Sequence, residues 1–120
     1  MRRVIAVALL AGLPASLSSG CGEDATRERA RLGAETYVRE CARCHMTDGR
    51  GVRGVYPNLA GNPIVTLESP EAAIETVVDG RDAMPAFGGV MPAQRVAAVV
   101  TYVRHAWGND ASPVTAAQVK

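Results

Sequence analysis

The sequence predicts an all-α fold with long loops, and three observations carry that prediction. Three stretches place their less polar residues at helical spacing. Between them lie segments dense in glycine and proline, a composition that favours ordered loops over further elements. No strand-like alternation and no internal repeat appears anywhere in the 120 residues.

The N-terminus comes first. Met1-Arg2-Arg3 is a short cationic start, Val4 to Leu13 is an apolar run, and Pro14 to Gly20 is small and weakly polar. Residues 1–20 therefore have the anatomy of a secretory signal peptide, with an apolar part too short to span a bilayer. Cys21 follows at once, and Ser19-Gly20-Cys21 resembles a bacterial lipoprotein cleavage site, at which the cysteine is lipidated and becomes the mature N-terminus. The usual aliphatic residue three before the cysteine is Ser18 here, with Leu17 one place further back. Cys41 and Cys44 have other work, which leaves Cys21 without a disulfide partner and favours the lipid anchor. Residues 21–27 read as a tether that spans roughly 20 Å if about six residues are extended.

A domain over residues 28–108 follows. Ala30, Gly33/Ala34, Tyr37 and Cys41 predict an amphipathic helix from about Thr26 to Cys41. Residues 45–67 hold Gly49, Gly51, Gly54, Gly61, Pro57 and Pro63, and read as a loop. Ser69-Pro70-Glu71 has the chemistry of a helix start, Ile74, Val77 and Val78 form a buried stripe, and Gly80 is a stop. Pro92 opens a last helix to Gly108, with Val96, Val99, Val100, Val103 and Ala106/Trp107 as its apolar face. Residues 109–120 read as a flexible, frayed tail.

Charge narrows the partners. Without residues 1–20, which carry Arg2 and Arg3, eleven basic residues face 12 acidic ones, for a net charge of about −1. No basic face for nucleic acid emerges from that balance. One Phe, one Trp and three Tyr are few for a domain of this size. A bulky apolar component supplied as a ligand is expected.

Cys41-Ala42-Arg43-Cys44-His45 identifies that component. C-x-x-C-H is the attachment pattern of c-type haem. One helical turn presents both thiols to one porphyrin edge, where each adds to a vinyl group, and the next residue lies under the iron. Two other chemistries compete for these residues. A dithiol redox site needs C-x-x-C at a helix N-terminus after a strand, and here the pair follows a helix. A zinc site needs four ligands, and the spare candidates Cys21 and His105 stand at opposite ends of the chain.

Electron transfer favours a second axial ligand, for which methionine is the soft choice. Met46 directly follows His45 and cannot reach the opposite face. Met84 sits in a loop 39 residues after His45, long enough to pass round the ring. Met91 is tied to the helix start at Pro92. His105 lies within a helix that has a packing role.

From about residue 28 to 108 the chain resembles a small class I c-type cytochrome with one haem. The residues that carry the resemblance are Gly33, Tyr37, Cys41, Cys44, His45, Pro57-Asn58-Leu59-Ala60-Gly61, Met84-Pro85, Val99 and Tyr102. It implies a cytochrome c fold, three main helices and long loops wrapped around one covalent haem c. It implies that Gly33 lets the first and last helices cross closely, with Tyr37 packed on Val99 and Tyr102. It also implies that the Pro57 carbonyl accepts from the other ring nitrogen of His45, that Leu59 packs on the haem face, and that His45 and Met84 are the axial ligands.

Similar modules serve as cytochrome subunits or domains of bacterial dehydrogenases and oxidases. Some soluble members carry a ring of lysines for docking, whereas the only lysine here is Lys120. Arg43, Arg50, Arg53 and Arg81 lie near the haem motifs in sequence, and Arg53 is the candidate for a haem propionate.

The expected function is an exported, membrane-anchored monohaem electron carrier on the periplasmic side of a bacterial inner membrane. It would work between a dehydrogenase donor and an oxidase or other cytochrome acceptor. The alternatives are a haem enzyme or gas sensor of the peroxidase kind, with a displaceable distal ligand, and a fixed docking subunit of a larger complex.

Overall fold

A computed structural model of the chain describes residues 20–120. The signal-peptide expectation for residues 1–20 lies, Gly20 apart, outside the described residues. Eight helical segments and no strand are present among them. Helix α1 (Gly20–Thr36) continues through a π-helical turn, Tyr37–Cys41, into the short α2 (Ala42–His45). α3 (Pro63–Thr66), α4 (Glu71–Asp79) and α5 (Ala93–His105) follow, with 3₁₀ turns at Ala106–Gly108 and Ala116–Gln118.

α1 and α5 form the frame. They cross at Gly33, where a Cβ would stand 3.0 Å from Tyr102 Cβ and closer still to the Ala98 carbonyl oxygen. Only glycine permits that approach. One turn on, Tyr37 is fully buried among Val96, Val99 and Val100 of α5. The Tyr37 ring lies 5.3 Å from Tyr102 and 5.0 Å from Trp107, centroid to centroid, and Tyr102 and Trp107 are 5.8 Å apart. Such aromatic groupings contribute beyond their buried area.

α4 adds Ile74 to this core, with Val77 and Val78 partly buried beside it. Pro70 and Glu71 begin α4, and Gly80 ends it at φ +74°, a left-handed value that glycine adopts without strain. Pro92 stands as the residue before α5, in extended backbone.

Four expectations need correction. α1 begins at Gly20 rather than near Thr26, so residues 21–27 are helical and not an extended tether. Glu23 complements the dipole of the first turn, the Thr26 hydroxyl donates to Gly22 O, and Arg31 pairs with both Glu28 and Glu35. None of these features depends on an apolar stripe, so periodicity does not register them. Within the expected loop 45–67, Asn62 caps α3 by accepting from Ile64 N–H at 2.9 Å, with Pro63 in the first turn.

Residues 109–120 are not frayed. Val114 is fully buried, its N–H donating to Thr101 Oγ1 at 2.8 Å, and Thr115 and Gln118 close a capping box. α5 itself stops at His105 rather than Gly108, because Ala106 turns to extended backbone (φ −74°, ψ +158°) and Trp107 then takes a left-handed conformation (φ +54°, ψ +32°).

Candidate functional site

The π-helical turn delivers the C-x-x-C-H residues. Its wider winding inserts a residue ahead of Ala42, a device that recurs at functional positions. Cys41 and Cys44 follow on one short helical stretch, both half-buried. Burial, then Glu40 and Cys44, pushes the Cys41 thiol up to about 11. A dithiol redox centre requires the opposite shift, towards a stabilised thiolate. Cys41, Cys44 and His45 do not converge as a metal cluster either, and no group of three or more His, Cys, Asp or Glu among the described residues does. The pair suits thioether attachment better than either rival.

His45 ends α2 and is buried, at 8 % exposure. Its Nδ1 lies 2.9 Å from Pro57 O. A carbonyl only accepts, so Nδ1 is the donor, and in the neutral ring Nε2 then keeps the lone pair. Nε2 has no hydrogen-bond partner among the described residues, which fits a ring oriented for an iron on that side.

The loop that carries Pro57 folds tightly on itself. Gly51 N–H donates to His45 O at 2.9 Å, and a Cβ on Gly51 would stand 2.5 Å from Pro57 O. Gly51 also sits at φ +61°, so a side chain there is excluded by both space and backbone. Leu59 is half-buried and packs against the core cluster, and its N–H donates to Gly49 O at 2.7 Å.

Met84 and Met91 occupy different environments. Met91 is 7 % exposed and belongs to the core beside α5. Met84 is half-buried in the loop after α4 and is held by backbone alone, through the reciprocal pair Arg81 N–H to Met84 O (3.1 Å) and Met84 N–H to Arg81 O (2.8 Å). Gly80 makes room, since its Cβ would stand 2.6 Å from Met84 O. Phe87 and Gly88 tie the far side of the loop to Val77 O and Val78 O of α4.

Arg53 is exposed and has no side-chain hydrogen bond or ion pair among the described residues. Cys21 is exposed in the first turn of α1. His105 is exposed on α5, its Nδ1 2.9 Å from Thr101 O one turn back. No helix among the described residues is long and apolar enough to cross a membrane.

Sequence reasoning missed a set of polar side chains that bind backbone around this site. Tyr37 donates to Met46 O at 2.6 Å, and Trp107 Nε1–H donates to Thr47 O at 3.0 Å. Asn109 accepts from Gly61 N–H at 2.7 Å and donates to Leu59 O and Val103 O. Arg104, with no exposed surface, donates to Val65 O, Leu67 O and Ser112 O at 2.8–2.9 Å. Each contact except Asn109 to Val103, Arg104 to Ser112 and Tyr37 to Met46 crosses more than thirty residues of chain. No local pattern announces such contacts.

Comparison with known proteins bears on the family and the fold. Residues 28–103 match the family described as cytochrome c oxidase, cbb3-type, subunit III. The chain is 42 % identical over 99 residues to the alcohol dehydrogenase (quinone) cytochrome c subunit of Gluconacetobacter polyoxogenes, covering 72 % of this chain. It spans only about a fifth of that subunit's length. It is 38 % identical over 73 residues to cytochrome c6 of Microcystis aeruginosa, covering 59 % of this chain and 89 % of the relative. Among solved structures, cytochrome c6 from the diatom Phaeodactylum tricornutum superposes with a TM-score of 0.52 at 28 % identity, over 62 % of this chain and 88 % of that one. The c-type cytochrome XoxG from Methylobacterium extorquens AM1 gives 0.53 at 26 % identity, over 76 % and 64 %.

Proposed function

The chain belongs to the cytochrome c family, in the group described as cytochrome c oxidase, cbb3-type, subunit III, and on that premise we propose that it carries single electrons through His45/Met84-ligated haem c at the outer face of a bacterial inner membrane. The family binds haem covalently and has the cytochrome c fold. Haem c supplies an iron that alternates between two oxidation states; binding, orientation and tuning fall to the protein.

Cys41 and Cys44 hold the cofactor through thioether bonds. His45 supplies Nε2 as the proximal ligand, and Pro57 O fixes its ring and raises its basicity through the Nδ1 proton. Met84 supplies the distal thioether, which favours Fe(II) and raises the potential. Leu59 contributes apolar contact, and Arg53 is available to a propionate. The observation that carries this reading is the 2.9 Å contact between His45 Nδ1 and Pro57 O, which leaves Nε2 free inside a C-x-x-C-H turn.

Export and a lipid on Cys21 complete the proposal. Gly20 to Arg31 are all exposed on a continuous helix. At 1.5 Å per residue, that segment holds the body about 16 Å from Cys21 as a rigid strut rather than a slack tether. The donor is proposed to be a membrane dehydrogenase, on the support of relatives that include cytochrome subunits of alcohol, gluconate and fructose dehydrogenases. An oxidase or another cytochrome is the proposed acceptor.

The test is the visible spectrum of the purified holoprotein. We expect a low-spin, six-coordinate haem in both redox states, with the weak far-red methionine–iron band lost in Met84→Ala and kept in Met91→Ala. The reverse pattern would refute the ligand assignment. Rapid carbon monoxide binding by the unaltered protein, with peroxide turnover, would favour a haem enzyme.

A further inference from the structure

His45 meets Pro57 across a loop with little core contact of its own. Thr47, Asp48, Arg50 and residues 52–58 are all exposed. Backbone bonds close the loop on itself, with Gly51 N–H to His45 O and both Leu59 N–H and Ala60 N–H to Gly49 O. Internal closure makes the loop compact but does not fix it against the helices. Tyr37 holds the start of the loop through Met46 O, and the rest of that second task falls to two side chains just beyond α5.

Trp107 grips the outgoing leg. Its indole N–H donates to Thr47 O, and its ring lies so close over Gly49 that a Cβ there would stand 2.5 Å from Trp107 Cδ2. Asn109 grips the returning leg, accepting from Gly61 N–H and donating to Leu59 O, while its second donor bond to Val103 O anchors it to α5. Asn109 is 6 % exposed and uses three of its four hydrogen-bonding positions. Trp107 holds its place at the cost of left-handed backbone, an unfavourable region for a bulky residue. Packing and the bond to Thr47 offset that strain.

We infer that Trp107 and Asn109 are positioning residues for the proximal histidine, clamping both legs of loop 45–61 and thereby setting the hydrogen bond from His45 to Pro57 O and the reduction potential. The inference rests on His45 being the iron ligand. A short Nδ1–H···O bond makes Nε2 more basic and favours the ferric state. Loosening either leg lets Pro57 O draw back, so the ferrous state gains.

The experiment compares holoproteins carrying Trp107→Phe, Asn109→Ala and Val114→Ala. Trp107→Phe keeps an aromatic side chain at the position but removes the indole donor together with part of the ring surface over Gly49. Val114 is fully buried against α5 in the same C-terminal segment and serves as a control for stability alone. For both clamp variants we expect the ferrous-to-ferric ratio at a fixed ambient potential to rise about two- to tenfold, tenfold being 59 mV for one electron. Faster hydrogen exchange at the Leu59 and Gly61 amides should accompany that rise.

Val114→Ala should lower the melting temperature and leave the ratio in place. A change below twofold in the clamp variants, or an equal change in Val114→Ala, would overturn the inference. If Trp107→Phe fails to mature with haem, Asn109→Ala decides. The low-spin spectrum of the unaltered protein tests the ligation separately, so the two failures are distinguishable.

Discussion

Arg104 is a charged side chain with no exposed surface and, among the described residues, no carboxylate partner in hydrogen-bonding contact. Burial lowers its pKa, yet a guanidinium stays protonated in proteins, so its charge has to be satisfied by dipoles. Val65 O, Leu67 O and Ser112 O accept at 2.8–2.9 Å, and Ser112 Oγ and Glu68 O lie at 3.1 and 3.4 Å. The planar fork thus joins α5 to the chain just before α4 and to the C-terminal segment. Arg104→Met keeps the volume and removes every donor.

Hydrogen bonds to charged groups contribute about 1.5–3 kcal/mol each, and three here are short. Leu67 and Ser112 are exposed, so water can recover part of their loss, whereas Val65 is buried and its carbonyl is stranded. Apolar packing by methionine offsets a further part. The expected net loss is about 3–4 kcal/mol, a large share of a domain stability of about 5–15 kcal/mol. Denaturant unfolding of the ferric holoprotein measures it, and amide exchange at Val114 reports whether the C-terminal segment detaches first. A loss below about 0.5 kcal/mol with Val114 still protected would refute the reasoning, because neither stranded carbonyls nor a released segment would then exist.

Two further outcomes follow from the helix frame. Gly33→Ala forces α1 away from the Ala98 carbonyl and should cost about 1–3 kcal/mol by the same unfolding assay, with the redox spectrum retained if the haem cleft holds its shape. Burial, more than neighbouring charge, holds the Tyr37 phenol well above its ordinary value. A raised folded pKa means the stabilisation is complete below the unfolded value of about 10 and is lost as pH rises past it towards the folded value. Tyr37→Phe should therefore lower stability by about 1 kcal/mol at neutral pH, from the lost bond to Met46 O, and flatten the decline above pH 10.

Periodicity and composition made the frame legible. The valines of α5, the Ile74 stripe of α4 and the Gly33–Tyr37 spacing of α1 are faces, and a face repeats along its own helix. The same signals misjudged both ends of the described residues. Residues 21–27 are helical without an apolar face, with Glu23 complementing the first-turn dipole and the Thr26 hydroxyl bonded to Gly22 O, and residues 109–120 look polar yet bury Val114 and Asn109. The C-x-x-C-H turn was readable because its chemistry is local, five residues in one stretch.

The clamp was unreadable for the opposite reason. Thr47 meets Trp107 sixty residues away and Gly61 meets Asn109 forty-eight away, and on one side of each bond the partner is a backbone atom that any residue could supply. Only the left-handed Trp107 marks the place, and a conformation leaves no trace in composition. The two Met-Pro pairs lie between these extremes. Sequence separates them by context, Met91 at a helix start and Met84 between glycines, and burial separates them again, Met91 in the core and Met84 half-exposed on a loop held by its own backbone. A thioether that must reach a cofactor needs a side chain outside the packed core on a fixed backbone. Of the two methionines, Met84 alone has that combination.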